Sequence, residues 1–218
     1  MKVTIIYDNT AFRKDLQADW GFSALVETQG KRILFDTGGS GSILLANMSR
    51  LGISPREIDE VFISHAHFDH IGGLSAFLDQ NHEVRVYVPR SFRGVKHAAE
   101  VVAVEHAREL SGGIYSTGEL DGIEQSLCIE TRKGIVMVAG CSHPRMENMI
   151  AAASEFGTLY GIIGGLHGHG PESLKDFQFI CATHCTQYQK EIMSLYPERY
   201  VAGGAGTVID LQDQENAG

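Results

Sequence analysis

Cysteine and proline are scarce in this chain, four and five of its 218 residues. Four cysteines without paired spacing do not make the disulfide framework of a small secreted scaffold. Free thiols and a cytoplasmic setting are therefore expected. No stretch rich in Pro, Gly and Ser and no charge block divides the chain, and no repeat of solenoid length is evident. Basic residues are also in short supply. Eighteen Lys plus Arg stand against 27 Asp plus Glu, a formal net charge of −9. That balance lacks the basic stripe of a general nucleic-acid surface, yet it leaves room for a local pocket that holds a small anion. No run of about 18 apolar residues is present, so no membrane-spanning helix is expected. Met1 leads straight into the strand-like run Val3 to Tyr7, without a basic or apolar leader region. What the chain has in quantity is glycine (25), histidine (10) and enough apolar residues (43%) to bury a core without disulfides.

Runs of β-branched and aromatic residues read as strands over Lys2–Tyr7, Phe22–Thr28 and Arg32–Phe35, the last two joined across the turn signal Gln29-Gly30. Helical spacing covers Ser42–Leu51 and stops at Gly52; Val61–Ser64 is a short strand. Leu74–Gln80 reads as a helix and Val84–Val88 as a strand stopped by Pro89. Mixed charge and helical spacing place a helix in Ser91–Leu110. The second half repeats the style. Ser126–Thr131 pairs with Gly134–Ala139. A helix covers Met146–Phe156, and strands follow at Leu159–Ile163 and Phe177–Cys181. Gln187–Tyr196 reads as a helix, and closing strands fall near Val201 and over Thr207–Leu211. Hairpins followed by alternating strands and helices in both halves imply two sheets with helices packed outside, a layered α/β sandwich.

The strongest chemical signal is His65-Ala66-His67-Phe68-Asp69-His70, which ends a strand and precedes Gly72-Gly73. In extended backbone, residues two apart point to one side, so His65 and His67 can address one metal. Where the chain turns into a helix, Asp69 and His70 can reach a second point. Asp69 taken alone would pass for a helix cap. Four ligand types at this spacing argue for a metal instead. Imidazole and carboxylate suit zinc, and also iron or manganese.

Later histidines follow strands in the same manner. His143 sits in Gly140-Cys141-Ser142-His143-Pro144, His167 in Gly164-Gly165-Leu166-His167, and His184 in Thr183-His184-Cys185. Ends of parallel strands converge on one sheet edge, where open α/β folds place their sites. His82, His97 and His106 lie away from such turns and read as surface residues. Competing signatures fail. There is no phosphate loop, no Gly-x-Ser-x-Gly elbow and no dinucleotide fingerprint at Gly161–Gly165. Cys181 and Cys185 flank His184 without a second ligand pair for a structural zinc site, and they are expected to stay unbridged. Cys141 and Cys185 read as small packing residues or, beside candidate ligands, as oxidation-sensitive neighbours; Glu124 reads as a surface acid, with a site role the alternative.

The pattern His65-x-His67-x-Asp69-His70 resembles the signature of the metallo-β-lactamase superfamily. Asp36 in Leu34-Phe35-Asp36-Thr37-Gly38 resembles its first motif, His143 its third and His184 its last. The segments Asp8-Asn9-Thr10, Gly21-Phe22-Ser23, Ile123-Glu124-Gln125-Ser126 and Thr183-His184-Cys185-Thr186 are similar to one branch, the dihydropterin phosphate synthase-like proteins of the methanopterin pathway. The resemblance implies a four-layered αβ/βα sandwich, one metallo-hydrolase domain over residues 1–218. Two departures stand out. Gly161–Gly170 carries no carboxylate where the fourth motif has a bridging aspartate, and His167 stands in its place. Trp20 stands where a histidine is common.

On that resemblance His65, His67 and His143 hold one divalent ion, and Asp69, His70 and His184 a second. Zinc is the first expectation and iron or manganese the alternatives. Asp69 and His167 are the expected catalytic residues, with Asp36 locking a ligand imidazole from behind. The expected substrate is a small molecule with an anionic group, a phosphate ester or a pterin-related compound. A redox di-iron protein and a non-catalytic metal-binding protein remain alternatives on the same ligands. Nothing in the sequence assigns an oligomeric state.

Overall fold

The computed structural model describes residues 1–211. Among these residues, the first sheet has seven strands. Three form an antiparallel meander: β1 (Lys2–Tyr7), β2 (Ser23–Thr28) and β3 (Lys31–Phe35). Three more continue in parallel from β3: β4 (Glu60–Phe62), β5 (Arg85–Pro89) and β6 (Glu100–Val104). The second sheet has six strands. Its antiparallel part is β7 (Arg108–Ser111), β8 (Ile114–Ser116), β9 (Leu127–Thr131) and β10 (Gly134–Ala139). Two parallel strands follow, β11 (Leu159–Gly165) and β12 (Phe179–Thr183). The last strand, β13 (Val208–Asp210), returns to pair with β1 in the first sheet.

Alternation along the strands builds the layers, because successive side chains point to opposite faces. Val3 and Ile5, Ala24 and Val26, and Ile33 and Phe35 face the second sheet, where Val136 and Val138 meet them in one buried core. Their neighbours Ile6, Leu25 and Leu34 face outward and are covered by helices α1 (Gly41–Arg50) and α3 (Leu74–Leu78). In β10 the outward set is Ile135, Met137 and Ala139, covered by α4 (Met146–Ser154) and α5 (Gln189–Leu195). Strands buried on both faces read as continuous apolar runs. Helices, sheet, sheet, helices make the expected four-layered αβ/βα sandwich.

The helix expected over Ser91–Leu110 is absent. Residues 100–104 form β6 and residues 108–111 form β7. Val102 and Val104 turn inward while Val101 and Ala103 stay exposed, a period of two that the charged flanks disguise. Charged residues are the usual protection of an edge strand, which is the position β6 holds in its sheet. Gly112-Gly113 then turns β7 into β8, with Ser111 paired to Ile114. The strand expected at Phe177–Cys181 begins and ends two residues later, so His184 follows it directly. Near Val201 there is only an isolated bridge between Ile180 and Tyr200.

Strands β1, β3, β4, β10, β11 and β12 all end on the edge where their sheets meet. The turns after them carry Asp8-Asn9, Asp36, Ser64-His65, Gly140–His143, His167 and His184. No helix among the described residues is long and apolar enough to cross a membrane.

Candidate metal centre

The expected ligands come together in two adjacent groups. In the first, His65 Nε2 and His143 Nε2 each lie 3.1 Å from His67 Nδ1. In the second, His184 Nε2 lies 3.2 Å from both His70 Nε2 and Asp69 Oδ2. The His65 and His70 rings stand 4.2 Å apart between centroids, so the groups share a wall. His167 belongs to neither group. Its exposed ring lies 4.9 Å from that of His143. His82, His97 and His106 are exposed and remote from both.

The second group has a member that the spacing of histidines does not announce. Cys141 Sγ lies 3.2 Å from His70 Nε2 and within one cluster with Asp69 and His184. All four cysteines are free thiols, Cys181 and Cys185 included.

Hydrogen bonds behind the ligands decide which nitrogen of each ring faces inward. Asp36 is fully buried. Its Oδ2 accepts from His70 Nδ1–H at 2.7 Å and from the Ser64 hydroxyl at 2.6 Å, and its Oδ1 accepts from the Ser64 N–H at 2.7 Å. With its hydrogen committed to Asp36, Ser64 Oγ accepts from His65 Nδ1–H at 2.9 Å. Asn9 Oδ1 accepts from His184 Nδ1–H at 3.0 Å, while Asn9 Nδ2 donates to the His184 carbonyl at 2.9 Å and so fixes the amide orientation. Asp8 Oδ2 accepts the His184 N–H at 3.1 Å. His65, His70 and His184 therefore all present Nε2 lone pairs inward, held there as ligating imidazoles usually are.

Glu124 does the same for a loop. It is buried, not a surface acid, and its Oε1 accepts from the N–H groups of Gly140, Cys141 and Ser142 at 3.0 to 3.1 Å. Its Oε2 accepts from the His143 N–H at 2.9 Å. Gly140 has to be glycine, because a Cβ there would collide with Ser64 Oγ. Asp36, Ser142, His167 and His184 all have positive φ, between 42° and 59°. Non-glycine residues hold such a backbone at a cost of about 1–3 kcal/mol each, and these residues cluster at functional sites.

Burial keeps the His65 and His70 imidazoles neutral. Burial first, then His70 and His143, push His65 down to about 3 against the pull of Glu124 and Asp36. Burial and His184 likewise push His70 down to about 3. For Asp69, burial acts upward, but His184, with Nε2 3.2 Å from its Oδ2, and His70 outweigh it and hold the carboxyl well below its usual range. Glu124 is also held low, its burial outweighed by His65 and the backbone donors. Neutral imidazoles and ionised carboxylates are the forms that bind metal.

The donor set fits a divalent cation. His70 Nε2 and His184 Nε2 face each other at 3.2 Å with no hydrogen to share, since each ring carries its proton on Nδ1. A cation between them relieves that opposition. Tetrahedral bonds of about 2.0–2.1 Å separate ligand atoms by about 3.3 Å, close to the 3.1–3.2 Å seen in both groups.

The sequence description of the metallo-beta-lactamase superfamily matches residues 20–140, more than half of the chain. The chain belongs to the metallo-beta-lactamase superfamily. Within the superfamily it is 27% identical, over 94% of its own length and 95% of the relative's, to the 7,8-dihydropterin-6-methyl-4-(beta-D-ribofuranosyl)-aminobenzene-5'-phosphate synthase of Methanocaldococcus jannaschii. A solved metal-dependent hydrolase of the superfamily superposes with a TM-score of 0.80 at 22% identity, covering 98% of this chain and 100% of that one. A diphosphatase of the PhnP family superposes with a TM-score of 0.65 at 14% identity, covering 97% and 98%. The ribonuclease Z of Nanoarchaeum equitans is 36% identical over 37% of this chain and 25% of its own. Superfamily members with this signature bind divalent metals, which agrees with the two donor groups found here.

Sequence reasoning missed Asn9, Ser64 and Cys141 as parts of this site and undervalued Glu124. Asp8-Asn9-Thr10 and Glu124 did fall in segments that mark the branch. Their roles depend on contacts across 175 and 16–19 residues, which no local pattern encodes.

Proposed function

We propose that the chain is a metal-dependent hydrolase of small phosphate esters whose organic part carries a flat ring. The observation that carries this reading is the pair of adjacent donor groups with inward lone pairs, His65/His67/His143 and Asp69/His70/His184. A bound divalent cation lowers the pKa of water from 15.7 toward about 7 and polarises the scissile bond. The chain's residues do the rest. Asp69, ionised, accepts a hydrogen bond from the attacking water and turns its lone pair toward the substrate. His167, exposed with its ring beside that of His143, is the group we assign to donate a proton to the departing oxygen. Asp36, through Ser64 and His70, holds the rings that would otherwise rotate.

The ring is suggested by two exposed aromatic side chains beside the ligands. Trp20 is 60% exposed with its ring 5.2 Å from that of His184, and Phe68, 72% exposed, lies between His67 and Asp69 in sequence. Exposed aromatic faces next to a polar centre suit stacking. The Methanocaldococcus relative is named for a dihydropterin phosphate, a compound with both features. The test is turnover by metal-reloaded protein across phosphomonoesters, phosphodiesters, thioesters and lactams. Phosphate-ester turnover that chelation abolishes and zinc restores is the expected result. No turnover on any panel with both sites filled favours the non-catalytic alternative. Iron as isolated with a reversible redox response favours the di-iron one.

A further inference from the structure

Cys141 is held in place more firmly than a packing residue needs to be. It is 3% exposed, and its N–H and those of Gly140 and Ser142 all donate to Glu124 Oε1. That contact fixes the backbone from which its side chain projects. Its Sγ is 3.2 Å from His70 Nε2 and within 4.8 Å of the donor atoms of Asp69 and His184. The other thiol nearby, Cys185, points its Sγ at the Cys141 carbonyl at 3.7 Å and is not a member of the cluster.

Charge favours a role for this sulfur. Asp69 is the only carboxylate in the second group, and the first group is three imidazoles. The segment after β11 that reaches the same edge, Gly161–Gly170, contains no acid that could add a negative ligand. Without the sulfur, Asp69 would be the one anionic ligand of a second cation held beside the fully buried His70 and the buried Cys141.

We propose that Cys141, as a thiolate, is the fourth protein ligand of the second cation. This rests on the metalloenzyme reading above and makes the two halves of the centre chemically unequal. The first site is all nitrogen, and the second combines nitrogen, oxygen and sulfur. Binding breaks the Cys141 S–H bond, forms a metal–sulfur bond and releases one proton to solvent, with no change of oxidation state. Thiolate selects soft cations, so zinc and cadmium prefer the second site, where manganese is held poorly. Asp69 and Cys141 together neutralise that cation. The first cation, ringed by neutral imidazoles, keeps its charge for the anionic group of the substrate.

The experiment titrates metal-free protein with cadmium and, separately, cobalt, and follows thiolate-to-metal charge transfer in the ultraviolet together with metal stoichiometry. The expected band grows with one of two equivalents and then saturates. Cys141→Ser loses the band and holds one cadmium more than about tenfold less tightly, the other being unaffected. Cys185→Ser keeps the band. Circular dichroism of the metal-free Cys141→Ser protein checks its fold; should it fail to fold, the wild-type titration still decides. Two cations bound without a charge-transfer band overturn the assignment while leaving the hydrolase reading intact. A band that survives Cys141→Ser and disappears in Cys185→Ser also overturns it. The expected band without turnover on any ester supports the ligand and overturns the hydrolase. No cation bound at all overturns both.

Discussion

The two donor groups lie side by side but are built differently. In the first, His67 is exposed, His143 is half-exposed, and only His65 is buried, tied to its own neighbour Ser64. In the second, His70 and Cys141 are buried, and the rings are tied to distant partners, His70 to Asp36 and His184 to Asn9. The inner group is therefore fixed before any cation arrives, whereas the outer group can adjust to what binds. Rigid support behind a ligand raises its affinity, and open ligands leave room for substrate. If this contrast holds, damage to the inner group should remove metal and turnover together, and damage to the outer group should be partly absorbed.

The sharpest test is Asp69→Asn. Helix α2 (Phe68–Ile71) is capped at His67 without a side-chain hydrogen bond, so Asp69 is not its cap. Asn keeps the shape and loses the charge. Turnover should drop by about 10²- to 10⁴-fold and the inner metal should weaken, with secondary structure unchanged. Full activity at unchanged metal content would remove Asp69 from the centre. Chelation comes next. Each cation present at about 100 times its Kd stabilises the fold by about 2.7 kcal/mol, so removing one should lower Tm by about 5–10 °C. Asn9→Ala should then weaken only the inner site, by about 10- to 100-fold, because it frees the His184 ring and leaves His65, His67 and His143 untouched. Equal losses at both sites, read by metal titration, would show that the groups are not independent.

How much of this could be read in advance follows from distance along the chain. The His65–His70 cluster is local, and its strand-then-turn setting is visible in six residues. His143 and His184 are visible because each follows a short apolar strand. Asn9, Glu124 and Cys141 are not, since an asparagine after β1 or an acid before β9 looks the same whether it faces water or a histidine 175 residues away. The missing edge strands follow the same logic. Residues 100–104 become β6 because β5 is there to pair with, from Arg85–Glu100 to Pro89–Val104, and their local charge pattern says nothing of that partner.

The smallest expected effect falls on the loop of the outer group. His169 Nε2–H donates to the Ser142 carbonyl at 2.8 Å and the Pro144 carbonyl at 3.2 Å, on either side of His143. The loop has other anchors. Glu124 accepts four of its N–H groups, and Ser142 Oγ donates to the Gly165 carbonyl at 2.7 Å. His169→Ala vacates a half-buried position from which water can reach the carbonyls of the buried Ser142 and Pro144, so the loss is that of one ordinary hydrogen bond, about 0.5–1.5 kcal/mol. For a chain of this length that is a Tm lower by about 1–6 °C. Ser142, at a φ of 59°, sits in a left-handed conformation that the remaining anchors must hold alone, so the position of His143 should loosen slightly. Outer-site affinity should fall by less than about tenfold, below the loss expected for Asn9→Ala at the inner site. A larger loss from His169→Ala than from Asn9→Ala would reverse the comparison and make the outer group the one that depends on its support.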